Sequence, residues 1–173
     1  MLVCVDVDYR TAADGGETAT AACVGFAAWP DAVATLELVE HAGAAAAYEP
    51  GRFFMRELPF VTAILARVAD PIAAIVVDGY AWLAPDRPGL GARLHEARGG
   101  REPVIGVAKT RFHGATAIEV LRGASASPLF VTAIGMDAQL AANQIRAMHG
   151  PFRIPTLLKR CDSLARGHVQ PTT

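Results

Sequence analysis

Three acidic residues near apolar segments are the first feature of this sequence that could support chemistry. Asp6 lies within LVCVDVDY, Asp78 directly follows the apolar run IAAIVV, and Glu57 falls in a predicted helix between them. A buried strand tolerates a carboxylate poorly unless something pairs with it. Oxygen ligands without His or Cys companions favour Mg²⁺ or Mn²⁺ over zinc. The three acids are therefore a candidate metal site, although Asp-Gly at a strand end is also the sequence of an ordinary turn.

These acids need a sheet that brings strand ends together, and the apolar patterns predict one. Three segments bounded by Gly, Pro or Asp predict a meander of strands, with ADGG as a hairpin turn. Alternating helices and strands then follow. The prediction is an α/β fold with one mixed central sheet flanked by helices. The predicted strands are 2–9, 18–29, 32–40, 72–77, 103–108 and 128–134, and the predicted helices are 53–68, 89–98 and 137–148.

Length and composition indicate the number of domains, the absence of a membrane span and the state of the cysteines. A chain of 173 residues suits one domain, expected over 1–167 with a loose tail at 168–173. No window contains about 18 successive apolar residues, so we expect no membrane span. Three cysteines in apolar surroundings, with no secretory signal pattern, favour reduced thiols in a cytoplasmic protein.

Charge gives no global sign of a nucleic-acid partner. The formal net charge is −1 and the pI is near 6.5, so any site for a polyanion must be local. Basic residues gather at 109–111 and again over 153–166. The second group is either part of such a site or a solvated helix face.

Several motifs, in order, resemble the endonuclease V family, the inosine-directed nucleases of the ribonuclease-H-like fold. The matching segments are VDVDY, YEPGRFFMRELP, VVDGYAWLAPDRPGLGARL, PVIGVAKT, PLFVTAIG and RIPTLLKRCDSLA. Any one of them is weak, but their order and context cover most of the chain. The resemblance implies a ribonuclease-H-like mixed sheet and a nuclease that uses Mg²⁺, with Mn²⁺ as a substitute.

The resemblance also assigns roles to residues of the predicted site. Asp6 and Asp78 match the two central metal-binding aspartates of the family, and Glu57 matches a further carboxylate of the metal site. Lys109 matches the lysine that meets the scissile phosphate, where an ammonium group can offset charge in the transition state. Its alternative is a surface lysine at a strand end. Gly79 matches the place where nucleic acid approaches the backbone.

The loop YEPG matches the family's wedge, which enters nucleic acid beside the modified base. By resemblance, Tyr48, Pro50 and Gly51 form this wedge, and a rigid tip of this kind can fill the gap that an extruded base leaves. Glu49 places an acid where the family usually has an apolar residue, which would weaken binding to phosphates. The alternative for Tyr48 is an ordinary loop aromatic that covers the helix.

Other positions depart from the family pattern. Ala84 stands in the place of a histidine, within a stretch where Ala81 and Asp86 also differ from the pattern. Met136 stands in the place of a second histidine, which the resemblance puts at the metal site. Asp137 either replaces that histidine as a metal ligand or caps the helix that follows.

Two functions therefore remain open at the level of sequence. The first is a metal-dependent endonuclease that hydrolyses a phosphodiester near inosine or deoxyinosine in DNA or RNA, acting as a monomer. The second is a diverged relative that binds nucleic acid or a protein partner with weak or no catalysis. The acid and lysine set favours the first function, and the departures favour the second.

Overall fold

The computed structural model of the chain describes residues 1–11, 16–44 and 53–172. Helices and strands alternate after an initial run of strands, as the apolar patterns predict. Within the described residues, no helix is long and apolar enough to cross a membrane. The strands are β1 Leu2–Thr11, β2 Glu17–Phe26, β3 Leu36–Ala44, β4 Ala74–Asp78, β5 Trp82–Ala84, β6 Arg87–Pro88, β7 Val104–Ala108, β8 Ile118–Val120 and β9 Leu129–Ile134. The helices are α1 Phe53–Ala66, α2 Leu90–Ala97, α3 Ala138–Ala147 and α4 Thr156–Ala165.

Seven strands form one mixed sheet in the order β3-β2-β1-β4-β7-β9-β8. The first three strands are an antiparallel meander, and β1, β4 and β7 run parallel at the centre. Strand β9 returns antiparallel to β7, and β5 pairs with β6 in a separate two-stranded ribbon. The predicted α/β fold with a mixed central sheet is confirmed. Most of the predicted ADGG turn lies outside the described residues.

The sheet is covered on both faces because its central strands are apolar at successive positions. On β1, Cys4 belongs to a core layer shared with α3 and α4, whereas Val5 belongs to the opposite layer, with residues of α1 and α2. Side chains alternate between the faces of a strand. This alternation determines which face each polar side chain of β1 and β4 occupies.

Helix α4 and the segment after it extend the predicted architecture. The sequence analysis considered a helix over 153–166 only as one alternative for its basic residues, and expected a loose tail after residue 167. In the structure, Arg160 of α4 forms a two-point ion pair with Glu37 of β3, at 2.7 and 2.8 Å. Arg160 also donates to the Gln170 carbonyl at 2.7 Å, and Val169 packs against the core. The segment over 168–172 therefore lies against α4 and the sheet.

Arg122 fixes the connection between α3 and α4. Its side chain is only 6% exposed and donates to the carbonyls of Met148, Gly150 (3.2 Å) and Phe152 (3.0 Å). Burial lowers the pKa of Arg122. The neighbouring Gly123 has φ +58°, and a Cβ there would lie 2.1 Å from the Pro151 carbonyl oxygen. This contact determines where α4 begins and so where its side chains meet the sheet.

We expect Arg122→Met to lower the free energy of unfolding by about 3 kcal/mol, because several buried carbonyls lose their donor at once. Urea unfolding followed by circular dichroism measures this change. The matched control is Arg101→Met, since Arg101 is exposed and donates only to the Arg98 carbonyl at 2.9 Å. That control should change stability by less than about 0.5 kcal/mol. Equal effects of the two substitutions would contradict the anchoring role.

Candidate active site

The register of the two central strands brings Asp6 and Asp78 side by side. Cys4 pairs with Val76 and Val5 with Val77 in the parallel ladder, so the next residues in this register are the two aspartates. Cys4 and Val76 lie in the same core layer. By alternation along the strands, Asp6 and Asp78 lie on that same face, toward α4. The two predicted acids thus meet at the carboxyl edge of the sheet, where α/β folds commonly hold ligands.

Glu57 reaches the same edge from the opposite face of the sheet. Its helix α1 packs through Val61 and Ile64 against the other core layer, and the Glu57 side chain is 8% exposed. Glu57 lines one cavity together with Asp6 and Asp78. Burial and then the neighbouring Asp6 and Asp78 carboxylates raise the pKa of Glu57 to about 8. The third predicted acid therefore shares an electrostatic environment with the first two.

Lys109 supplies positive charge to this edge. It directly follows β7, and its Nζ donates to Asp78 Oδ2 at 2.6 Å. The side chain is 41% exposed, so the ammonium group borders solvent. Burial acts to lower the pKa of Lys109, but the hydrogen bond to Asp78 and the surrounding carboxylates outweigh burial and raise it. The lysine is therefore held in its charged form beside the acids.

A fourth acid, Asp162, was missed by the sequence analysis. Asp162 lies in α4, is 8% exposed, and its Oδ1 is 3.9 Å from the Lys109 Nζ. Burial alone would raise the pKa of Asp162, but the hydrogen bond from Lys159 (2.7 Å) and the charge of Arg166 (3.0 Å) lower it overall. The sequence did contain a signal for Asp162, because Lys159 stands three residues before it and Arg166 stands four residues after it. We name Asp6, Glu57, Asp78 and Asp162 the acid cluster.

Asp6 is the centre of the acid cluster. Burial, Asp78 and Asp162 raise its pKa to about 7, against the opposing effects of Lys109 and of the Val7 N–H, which donates to Asp6 Oδ1 at 2.9 Å. Among the described residues, no three acidic, His or Cys side chains already converge on a single point. Lys109 pairs with Asp78, and Lys159 and Arg166 pair with Asp162, whereas no described cation forms an ion pair with Asp6 or Glu57. Every potential ligand atom of the four acids is oxygen. This donor set fits a hard divalent cation such as Mg²⁺ or Mn²⁺.

Met136 and Asp137 lie at the opposite edge of the sheet, which corrects their expected place. Because β9 runs antiparallel to β7, its last residue Ile134 pairs with Val104, the first residue of β7. Strand β7 has 5 residues, so at about 3.3 Å per residue roughly 16 Å separates this edge from the acid cluster. Asp137 accepts a hydrogen bond from the Leu140 N–H at 2.8 Å and is the N-cap of α3. The capping alternative is confirmed, and the structure does not bring Asp137 to Asp6 and Asp78.

The predicted substrate-contacting residues are only partly described. Tyr48, Pro50 and Gly51 lie outside the described residues. Gly79 follows Asp78 with φ +131°, and a Cβ there would meet no atom within 4 Å. This glycine therefore combines a left-handed backbone with open space beside the acid cluster.

An apolar cavity of about 290 Å³ lies next to the acid cluster. Glu57, Asp78 and Gly79 form the side toward the acids, and aromatic rings form much of the remainder. Tyr80 is held in place because its hydroxyl donates to the Thr110 carbonyl at 2.8 Å and accepts from the Phe112 N–H at 2.9 Å. We name this space the base cavity. Its aromatic lining residues are Phe54, Tyr80 and Phe112.

Comparison with known proteins gives consistent matches. The family model for endonuclease V matches residues 1–160. The endonuclease V of Streptomyces avermitilis is 34% identical over 166 residues, covering 81% of this chain and 71% of that protein. A crystal structure of endonuclease V from the same organism superimposes with a TM-score of 0.74 at 30% identity, covering 96% of this chain and 80% of that one.

A more distant structure has the same fold. Endonuclease V of Ciona intestinalis, in complex with a 24mer DNA containing an inosine followed by a ribo-adenosine, matches with a TM-score of 0.75 at 16% identity. The match covers 96% of this chain and 84% of that one. The family model spans the strands that carry Asp6 and Asp78 and the segment that carries Lys109, and relatives of 30% identity or more agree in sequence and in fold. The chain belongs to the endonuclease V family, and it is an endonuclease.

Proposed function

We propose that this endonuclease hydrolyses a phosphodiester bond near a deaminated purine, inosine or deoxyinosine, with a divalent cation held by the acid cluster. The observation that supports this proposal is the convergence of acids from β1, β4, α1 and α4 with Lys109 at one sheet edge, where Glu57 and Asp162 are buried and Asp6 is half-buried. Such a concentration of negative charge costs stability unless a cation balances it. Clusters of charge that destabilise the folded protein in this way are typical of functional sites.

Asp6, Asp78 and Asp162, with Glu57 from the opposite face, would hold Mg²⁺ or Mn²⁺. When bound, the ion would supply positive charge to a phosphoryl oxygen and so stabilise the transition state. The protein groups define the direction from which substrate approaches. Asp6, Glu57 and Asp162 are buried or half-buried, whereas Asp78 and Lys109 border solvent. The scissile phosphate would therefore approach past Asp78 and Lys109.

Lys109 would contact that phosphate directly. Its ammonium carries three donors, and the contact with Asp78 leaves some of them to face solvent. Because the lysine is held beside the acids and stays charged, it can stabilise the negative charge that develops on the phosphate oxygens. It also reduces repulsion between the acid cluster and the approaching strand.

The base cavity is suited to a nucleobase that has left the stack. Enzymes that act at a single base commonly extrude it and hold it between aromatic or apolar side chains. Phe54, Tyr80 and Phe112 supply such a lining beside the acids. The presence of inosine in the DNA bound by the Ciona relative supports this class of substrate. The resemblance assigns Tyr48, Pro50 and Gly51 to the wedge that would fill the vacated position.

We expect the protein to cleave oligonucleotides that contain inosine or deoxyinosine when Mg²⁺ or Mn²⁺ is present, and to leave matched unmodified strands intact. The assay uses end-labelled DNA and RNA strands on a denaturing gel, with EDTA as the metal-free control. Binding without cleavage under all these conditions would instead support the diverged, non-catalytic alternative. Equal cleavage of modified and unmodified strands would overturn the proposed substrate.

We expect Asp162→Asn to reduce cleavage at least about 100-fold, because one charged member of the acid cluster is lost while the side-chain volume is kept. The matched control is Asp137→Asn. Asparagine caps helices about as well as aspartate, so that variant should keep both stability and activity. Single-turnover rates and melting temperatures of both variants provide the measurement. If the two variants cleave equally, Asp162 is not part of the active site.

The stability of the metal-free protein should fall as the pH rises from about 5 to 8.5. The pKa values of Asp6 and Glu57 are raised to about 7 and about 8 in the folded protein, so the folded state binds more protons than the unfolded state in this range. Each group contributes a slope of at most about 1.4 kcal/mol per pH unit. Thermal unfolding in EDTA measures the change.

Two comparisons complete that measurement. Asp6→Asn should flatten the decline, and Mn²⁺ added at pH 8 should raise the melting temperature of the unmodified protein more than that of the variant. A decline that is the same with and without the Asp6 carboxylate would contradict the assigned electrostatics. The readout is stability alone, so it does not depend on cleavage.

A further inference from the structure

We infer that Arg87 is a specificity-determining residue that binds the O6 and N7 edge of a purine in the base cavity. This inference rests on the proposed function, because it needs a base to enter that cavity. Arg87 lines the base cavity together with Glu57 and Asp78. It is the one cationic side chain among the described residues of the lining.

The guanidinium of Arg87 has no hydrogen-bond or ion-pair partner among the described residues, which distinguishes Arg87 from the other described arginines. Each other arginine of the described chain forms a hydrogen bond or an ion pair with a protein group, whereas Arg87 forms neither with any described residue. Arg87 is exposed and its guanidinium lies 5.5 Å from the centre of the Phe112 ring. Its donors therefore remain available to a ligand.

The backbone around Arg87 is held firmly against the cavity wall. Arg87 pairs with Ala84 in the β5–β6 ribbon, and the Gly89 N–H donates to the Ala81 carbonyl at 2.9 Å. A Cβ at position 89 would lie 2.3 Å from the Tyr80 carbonyl oxygen, so glycine is needed for this close approach. The ribbon thus fixes the position from which the Arg87 side chain reaches the cavity.

The chemistry of the cavity indicates which edge of a base Arg87 would bind. The hydroxyl of Tyr80 is already used as both donor and acceptor. Arginine presents parallel donors that match the two acceptors O6 and N7 of a 6-oxopurine. Hypoxanthine has both acceptors, whereas adenine presents an amino donor in place of O6. Arg87 would therefore favour hypoxanthine over its parent base adenine, and guanine would share this contact.

The test compares the binding of strands whose bases differ in the groups at O6 and N7. Fluorescent single-stranded oligonucleotides carry deoxyinosine, 7-deaza-2′-deoxyinosine or deoxyadenosine at one position, and binding is measured by anisotropy in Ca²⁺, with strand integrity checked on a denaturing gel. The unmodified protein should bind deoxyinosine about 5- to 100-fold more tightly than the other two strands. Arg87→Met should remove this preference, and Arg87→Lys should restore only part of it, because lysine cannot form the paired contact.

Arg93→Met is the matched control. Arg93 is a half-buried arginine over an aromatic ring, 5.4 Å from the centre of Phe54, but it pairs with Glu96 and lines a different cavity. This variant should keep the full preference for deoxyinosine. The same 7-deaza penalty in Arg87→Met as in the unmodified protein would overturn the inference, as would equal binding of all three strands by the unmodified protein. Failure of the cleavage assay with the binding preference intact would overturn the hydrolytic function alone.

Discussion

Repulsion among the carboxylates of the acid cluster is the interaction on which the rest of this structure depends. The parallel register of β1 and β4 places Asp6 beside Asp78, and α1 and α4 add Glu57 and Asp162 from the two faces of the sheet. In a partly desolvated setting each negative charge raises the free energy of the others. Burial first, and then this repulsion, raise the pKa values of Asp6 and Glu57. A protein that keeps such a cluster needs cations around it.

The chain supplies part of this positive charge itself. Lys109 contacts Asp78 and approaches Asp162, while Lys159 and Arg166 on the same helix pair with Asp162. These contacts require α4 to sit in one position against the sheet. The buried Arg122, which gathers carbonyls from the α3–α4 connection, and the Arg160–Glu37 pair hold it there. Stability far from the acid cluster is thus coupled to the geometry of the cluster, because a shift of α4 would move Asp162.

The acid cluster and the base cavity occupy neighbouring but separate regions beside the strand ends. The acids and Lys109 gather where β4 and β7 end beside Asp6 of β1, with Glu57 on the α1 side of the sheet and Asp162 on the α4 side. The base cavity lies beyond Gly79, between α1 and the segment that follows β7, and its aromatic lining is apolar. Because the two regions have different lining residues, a substitution in one can leave the other unchanged. The departure from the family pattern at Met136 leaves the acid cluster intact, because Met136 lies at the far edge of the sheet.

Much of the fold follows from local patterns in the sequence. Apolar runs of 5 or 6 residues followed by Asp-Gly or Lys define the central strands, and helical spacing defines α1 and α3, because burial of one face imposes these periods. The placement of Asp6 within a strand, and of Asp78 and Lys109 at strand ends, was accessible in this way. Glu57 was a candidate from its place on the predicted helix, and the resemblance added its role at the metal site, because a position on a helix does not indicate which strand it approaches.

Tertiary structure decided which acids share a site. Asp137 and Asp162 both lie at or in helices of the second half of the chain. Sequence reasoning considered only Asp137, as either a metal ligand or a helix cap, because it stands beside a missing histidine. The direction of β9 sends Asp137 to the far edge, while the packing of α4 buries Asp162 beside Lys109. Strand direction and helix docking are set by long-range packing, which local periodicity does not encode. The same limit applies to Arg87, since only the folded chain shows that this arginine borders a cavity with its donors uncommitted.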